Sequence, residues 1–321
     1  MFLTSKRVWR WAAGCALAAT LASTQAAPWT LTGAIGTHDP HLYKSGATWW
    51  LFETTDNGGI AVKYSANGTA WTQGGPIFGS GLSWWKNYLP SNKTAMVWAP
   101  GCGEYNGLGY CYYAVSNFGS QKSAIGLTTS AGGISAGQWV DQGAILTSKA
   151  GDAYNAIDPA FVLAANGDPY LVFGSFWNGI YITRVSKTNL KPPTGGLVNI
   201  ARDTTNGIEN GFVVRRGSWY YLFASKGACC KGANSTYYIV VGRSSSITGP
   251  YTDKAGVSMM SGGGTVLASS GSRFKGPGGQ SLLADGSVMA WHAYDAQNSG
   301  APVLFIGNVT WDSAGWPQAV W

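Results

Sequence analysis

The sequence predicts an all-β fold, a five-bladed β-propeller, and three observations predict it. One pattern recurs five times: a short turn ending in Pro or Gly, an apolar strand, a Gly-containing turn, then an aromatic-rich strand. Composition agrees, with 46 Gly, 16 Trp and 16 Tyr but only 11% charged residues, because aromatics suit strands and glycine suits tight turns. No long helical periodicity or Pro/Ser-rich linker interrupts the pattern, so residues 27–321 read as one domain. A β-sandwich or jelly roll would also supply many short strands. The recurring acidic or small residue followed by proline favours propeller blades instead.

The copies follow one another along the chain. His38-Asp39-Pro40 leads to a strand at 48–52, and Trp98-Ala99-Pro100 leads to one at 110–113. Ile157-Asp158-Pro159 precedes 169–173, Ile208-Glu209-Asn210 precedes 219–223, and Lys275-Gly276-Pro277 precedes 288–291. Further apolar strands follow within the copies, as at 123–127 and 238–242. Equivalent positions in successive blades gather at one end of the central channel. Those positions carry Asp39, Ala99, Asp158, Glu209 and Gly276, so three carboxylates converge from three blades and two blades leave room.

The whole chain holds only 14 Asp and Glu, which makes three in register informative. Asp before Pro is common at turns, and a lone example would be structural. Carboxyls crowded at one place repel, so one is held protonated while another stays ionised. An acid and a base in one site is the chemistry of glycosidic bond cleavage. Asp56, Asp168, Asp285 and Asp312 lie in Gly/Asn-containing turns and read as turn formers. Only three His are present, which leaves little scope for a Ser-His-Asp arrangement. The Gly-rich stretches at 262–264 and 276–279 lie in β-rich surroundings, not in phosphate-binding strand-to-helix turns.

Residues 1–26 read as a secretory signal peptide. Lys6, Arg7 and Arg10 form a basic start, 11–22 is a short apolar run, and small residues precede a cut after Ala26 or Ala27. The run is shorter than the roughly 20 residues that span a bilayer. The expected location is outside the cell, or the periplasm in a Gram-negative host. Losing three basic residues lowers the formal charge from +7 to +4, and no clustered Lys/Arg tract suggests a nucleic-acid partner. Cys15 leaves with the leader, and four cysteines in an exported chain favour disulfides. Cys102 and Cys111 flank a loop and are the expected pair. Cys229 and Cys230 form either a vicinal bridge or two thiols.

At these residues the sequence resembles glycoside hydrolase family 43, and within it the arabinan-cleaving members. The marks are Thr37-His38-Asp39-Pro40, Trp98-Ala99-Pro100, the stretch 120–127, Asn155-Ala156-Ile157-Asp158-Pro159, Ile208-Glu209, the stretch 229–237, and His292-Ala293-Tyr294-Asp295. Singly each is weak; in this order they are specific, and they cover nearly all of 27–321. The resemblance implies a five-bladed propeller that cuts α-1,5-linked arabinan with inversion, internally rather than from the chain end. It implies Asp39 as general base, Glu209 as general acid and Asp158 as the residue that orients Glu209 and raises its pKa. Base and acid in an inverting site stand roughly 6.5–9.5 Å apart to admit water. It further implies His38, Trp98, Phe118, Asn155 and Ser175 along the arabinose subsites. A calcium ion in the channel, contacted by His292 and otherwise held by water, is also implied; the alternative for His292 is a core histidine beside Trp291. The expected partners are arabinan and arabino-oligosaccharides of pectin, met by a monomer, with no nucleic acid and no membrane. Rival readings are an exo-acting arabinanase, an α-L-arabinofuranosidase, a β-xylosidase, or a lectin that kept the aromatics alone. One departure stands out: Asn210-Gly211 follows the acid where the family commonly has Gly-Pro or Ala-Pro.

Overall fold

The computed structural model describes residues 1, 27–78 and 81–318; the signal-peptide reading therefore falls outside the described residues. Among the described residues twenty strands form five blades, antiparallel apart from one parallel pairing in blade one. Blade one contains β1 (Thr32–Gly33), β2 (His41–Ser45), β3 (Thr48–Glu53), β4 (Ala61–Ser65) and β5 (Ala70–Gln73). Blade two contains β6 (Val97–Tyr105), β7 (Leu108–Val115), β8 (Ser123–Ala131) and β9 (Trp139–Ser148). Blade three contains β10 (Ala160–Leu163), β11 (Pro169–Phe173), β12 (Ile180–Arg184) and β13 (Val198–Ala201). Blade four contains β14 (Ile208–Arg216), β15 (Trp219–Lys226), β16 (Tyr238–Ser244) and β17 (Thr265–Ala268). Blade five contains β18 (Phe274–Leu282), β19 (Val288–Asp295) and β20 (Ala301–Asn308). The five aromatic-rich runs expected from the repeats are β3, β7, β11, β15 and β19.

Within each blade, successive strands pair as hairpin neighbours, and β2, β6, β10, β14 and β18 abut in a ring at the centre. The middle strands are buried on both faces, which is why they read as continuous aromatic and aliphatic runs. Apolar side chains fill the seams: Phe52, Ile60, Tyr113 and Val115 between blades one and two, and Tyr112, Leu127, Leu171 and Phe173 between two and three. Leu42, Leu51, Ala290 and Ile306 join blades five and one. Among the described residues blade five has no fourth strand of its own, and the segment 29–37 lies along its edge instead. Trp29 N–H donates to Ile306 O (2.7 Å), Leu304 N–H donates to Ile35 O (2.8 Å), and Gly36 bridges Val303. The segment then joins blade one through β1, which runs parallel to β5. Closing the ring with the chain's own start covers the edge of β20, which would otherwise invite pairing with other chains.

Cys102 and Cys111 face each other across β6 and β7 and are disulfide-bonded. Cys229 and Cys230 are bonded to each other in the loop after β15. Of the turn-forming aspartates, Asp168 also holds Arg184 and Lys187, and Asp312 holds Lys254. No helix among the described residues is long and apolar enough to cross a membrane.

Candidate active site

The site is built where the innermost strands begin. Asp39, Ala99, Asp158, Asn210 and Gly276 all adopt left-handed backbone, with φ of 49, 40, 56, 50 and 55°. In blades two, four and five the strand register slips at this point, opening a bulge. The structure therefore corrects the repeat alignment in blade four. The residue equivalent to Asp39 and Asp158 is Asn210, and Glu209 stands one position earlier, level with His38, Trp98, Ile157 and Lys275. Asn210 and Gly211 occupy the places that other blades give to an acidic or small residue and proline. Asparagine tolerates left-handed backbone, and an ideal Cβ at Gly211 would lie 2.6 Å from Ile180 Cγ2, so glycine is needed there. Asn210 is tied down on both sides. Its N–H donates to Asp158 Oδ2 (3.0 Å), its amide to Gln280 O (3.1 Å), and its carbonyl accepts from Gln280 Nε2 (2.8 Å).

Asp39 is the most heavily supported carboxylate. His38 Nδ1 lies 2.8 Å from Asp39 Oδ2, and the Thr54 hydroxyl donates to the same oxygen at 2.6 Å. Ala99 N–H fixes that hydroxyl at 2.9 Å. Burial alone would raise the Asp39 pKa, but His38, His292 and Thr54 together hold it well below the ordinary carboxylate range. His38 is shifted the opposite way: burial disfavours its charge, yet Asp39 and the more distant Glu209 and Asp56 raise its pKa overall. Its Nε2 meets the Tyr294 hydroxyl at 2.8 Å, and its ring stacks on His292 with centroids 4.0 Å apart. Room for this cluster comes from Gly279, at φ 61°, where a Cβ would stand 2.6 Å from both Asp39 Oδ1 and His292 Nδ1.

Glu209 is shifted oppositely to Asp39. It is 8% exposed, and burial, with the negative charge of Asp39, pushes its pKa up to about 7. The Ser175 hydroxyl donates to Glu209 Oε2 and partly offsets that rise, as does His38. Asp158 is raised well above the usual range by burial, by Glu209 and by Asp39, with only Asn210 N–H acting against it. One carboxylate is thus held ionised while two are held toward the protonated form. That separation is what acid–base cleavage of a glycoside requires.

The remaining residues named from sequence divide. Trp98 borders the site, half-buried, with its indole N–H 3.5 Å from Asp56 Oδ1. Phe118 is 74% exposed in the loop between β7 and β8, a large apolar face open to solvent. Asn155 is buried, and its Oδ1 accepts from Ser123 and Ser148, so any contact with a ligand is confined to its amide nitrogen. Ser175 is buried against Glu209, bridging blade three to blade four. Three supporting residues escaped sequence reading: Thr54, Tyr294 and Gln280. Tyr294 had a readable signal, since it lies two residues from His292 on a strand and so on the same face. Thr54 and Gln280 carry none, because hydroxyls and amides of this kind are common at strand ends.

Comparison with known proteins bears on this geometry. The model of glycosyl hydrolases family 43 matches residues 33–317. The chain belongs to that family. A family 43 relative, the extracellular endo-alpha-(1->5)-L-arabinanase 1 of Bacillus subtilis, is 45% identical over 94% of this chain and 95% of its own length. The extracellular exo-alpha-(1->5)-L-arabinofuranosidase ArbA of Cellvibrio japonicus is 36% identical over 88% and 86%. Among solved structures, the endo-arabinanase of Bacillus licheniformis is similar with TM-score 0.86 and 47% identity, covering 90% of this chain and 99% of its own.

The calcium implied by family 43 membership can be tested against the residues. His292 is fully buried, and its Nε2 has no hydrogen-bond partner. Its Nδ1 accepts from Asp39 N–H at 3.1 Å and lies 3.8 Å from Asp39 Oδ1. Burial, then the neighbouring His38, holds the ring's pKa well below its ordinary value, so it is neutral; with Nδ1 accepting, its hydrogen sits on Nε2, and ligation there would require the other tautomer. In that tautomer the residues fit a cation held by one imidazole nitrogen and water. They do not form a carboxylate cage: the nearest His/Asp group among the described residues is His38, Asp39 and His292, and its other members bond one another.

Proposed function

We propose that this family 43 chain is an inverting endo-α-1,5-L-arabinanase, with Asp39 as general base, Glu209 as general acid and Asp158 as the residue that orients Glu209. The observation that carries the reading is the opposite displacement of two carboxyls in one site: Asp39 drawn down, Glu209 pushed up to about 7. Asp39 takes a proton from water, whose oxygen attacks the anomeric carbon of an arabinofuranosyl residue. Glu209 gives its proton to the departing glycosidic oxygen, so two O–H bonds and one C–O bond break, and two O–H bonds and one C–O bond form. Ser175 and the buried surroundings hold the Glu209 carboxyl in place, and Asp158, held toward its protonated form, accepts from the N–H of Asn210 and so anchors the backbone next to Glu209. Trp98 and Phe118 offer stacking faces to the sugar chain, and Asn155 an amide N–H.

His292 Nε2 would hold a calcium ion, whose positive charge favours ionised Asp39. Ligation at Nε2 would move the imidazole hydrogen to Nδ1, exchanging its bond from Asp39 N–H for the Asp39 carboxylate, whose Oδ1 lies 3.8 Å away. The names of the Bacillus and Cellvibrio relatives, together with the leader-like start, support release from the cell and arabinan as the substrate. The endo mode rests on the higher identity to the endo-acting relative. Incubating purified protein with debranched arabinan tests it: an oligomer ladder that shortens with time is expected. A single product length from the outset would overturn endo action, and arabinan binding without release would overturn hydrolysis.

A further inference from the structure

The acid–base chemistry above makes no use of the adjacent cysteines after β15, although they stand beside it. Cys230 is exposed and has left-handed backbone, φ 66°, a conformation uncommon outside glycine. In that conformation its N–H donates to the Tyr294 hydroxyl at 2.9 Å. The same hydroxyl meets His38 Nε2 at 2.8 Å, and His38 Nδ1 meets Asp39 Oδ2 at 2.8 Å. Cys230 Sγ also lies 3.7 Å from His38 Nε2, covering the outer edge of the ring. A continuous chain of hydrogen bonds therefore runs from the disulfide turn to the carboxylate assigned as base.

The loop is anchored independently of the bridge. Thr236 N–H donates to Ala228 O (2.9 Å), Ala228 N–H donates to Thr236 Oγ1 (3.0 Å), and Lys231 N–H donates to Ser235 Oγ (3.0 Å). Opening the bridge therefore frees the two cysteines and little else. We propose that the Cys229–Cys230 disulfide is a positioning element of the reaction. It locks Cys230 so that its N–H fixes the Tyr294 hydroxyl, and through Tyr294 and His38 it sets the orientation of the Asp39 carboxylate. The inference rests on the reading of Asp39 as the base.

Reduction tests it. A water-soluble phosphine breaks the S–S bond and leaves two thiols, with phosphorus giving two electrons and taking the oxygen of one water. Cys102 and Cys111 are buried in a ladder, so alkylation and mass measurement should count two new thiols rather than four. Reduction is expected to lower kcat on debranched arabinan about five- to tenfold, the worth of one lost hydrogen bond, with KM changed less than about twofold. In the Tyr294→Phe variant, already slower, reduction should bring no further loss. Cys229→Ala with Cys230→Gly should retain more activity than Cys229→Ala with Cys230→Ala, because glycine takes φ 66° freely. No loss on reduction, or equal loss in parent and Tyr294→Phe, would overturn the proposal. Should the oxidised parent fail to cut arabinan, the functional reading falls instead. Amide exchange at Cys230 then tests the link itself: protection in the oxidised parent, lost on reduction and in Tyr294→Phe, supports it, and fast exchange in the oxidised parent overturns it.

Discussion

Replacing Glu209 by Gln separates what this residue does for chemistry from what it does to stability. Burial and Asp39 raise its carboxyl from 4.5 to about 7, so the fold opposes its ionisation. The sign follows from the direction: a carboxyl raised in the folded state binds more protons there than in the unfolded chain. Its contribution to stability is fully present below pH 4.5 and lost as pH rises toward 7. At about 1.4 kcal/mol per tenfold in proton affinity, the loss approaches roughly 3 kcal/mol above neutrality. The substituted amide cannot ionise, and its oxygen can still accept from the Ser175 hydroxyl as the carboxyl does. Glu209→Gln is therefore expected to be nearly neutral at about pH 4 and stabilising at about pH 8, by up to about 3 kcal/mol, or roughly 5 °C in Tm for a domain of this size. Denaturant titration of both proteins across that range measures it. Activity on arabinan should fall by at least about a hundredfold, as when a general acid is removed. A stability difference that does not grow with pH would refute the claim that the fold holds Glu209 protonated.

Three further outcomes are expected. The rate on arabinan should fall as pH rises through about 7, where Glu209 ionises, and hold steady through the ordinary carboxylate range on the acid side, because Asp39 stays ionised there; a steady-state pH profile checks both limbs. Gly279→Ala should cut kcat more than about tenfold with the fold intact by circular dichroism, since its Cβ would displace Asp39 Oδ1 and His292 Nδ1. Adding calcium to chelator-treated protein should raise Tm by a few degrees through binding to the folded state, and His292→Ala should abolish that rise; an equal rise in the variant would remove His292 from the site.

Much of this was legible from sequence because propeller blades repeat. Paired aromatic strands, Gly turns and the residue before proline recur at blade spacing, so the five-strand inner ring and two of its three acids follow from spacing alone. Glu209 was found for a partly mistaken reason. Matching Ile208-Glu209-Asn210 to His38-Asp39-Pro40 put Glu209 at the bulge, whereas the bulge belongs to Asn210. With proline absent from blade four, the sequence lacked the punctuation that marks the left-handed residue elsewhere. The closure of blade five by residues 29–37 was also hidden, because its bonds join opposite ends of the chain. Likewise, the support of Asp39 by Thr54 and Tyr294 depends on contacts between distant segments that no local pattern encodes. His41 shows the converse. It lies two residues beyond Asp39, yet it is a core histidine bonded to Cys102 O, with burial lowering its pKa to about 4.

The central claim is a single displacement in which Asp39 activates water while Glu209 protonates the leaving oxygen. Proton NMR of debranched arabinan during the first minutes of hydrolysis, before mutarotation, measures its stereochemical consequence. The account predicts that new reducing ends appear first as the β anomer and only later equilibrate. Initial appearance of the α anomer would mean retention through a covalent intermediate, and would contradict the roles assigned to both carboxyls.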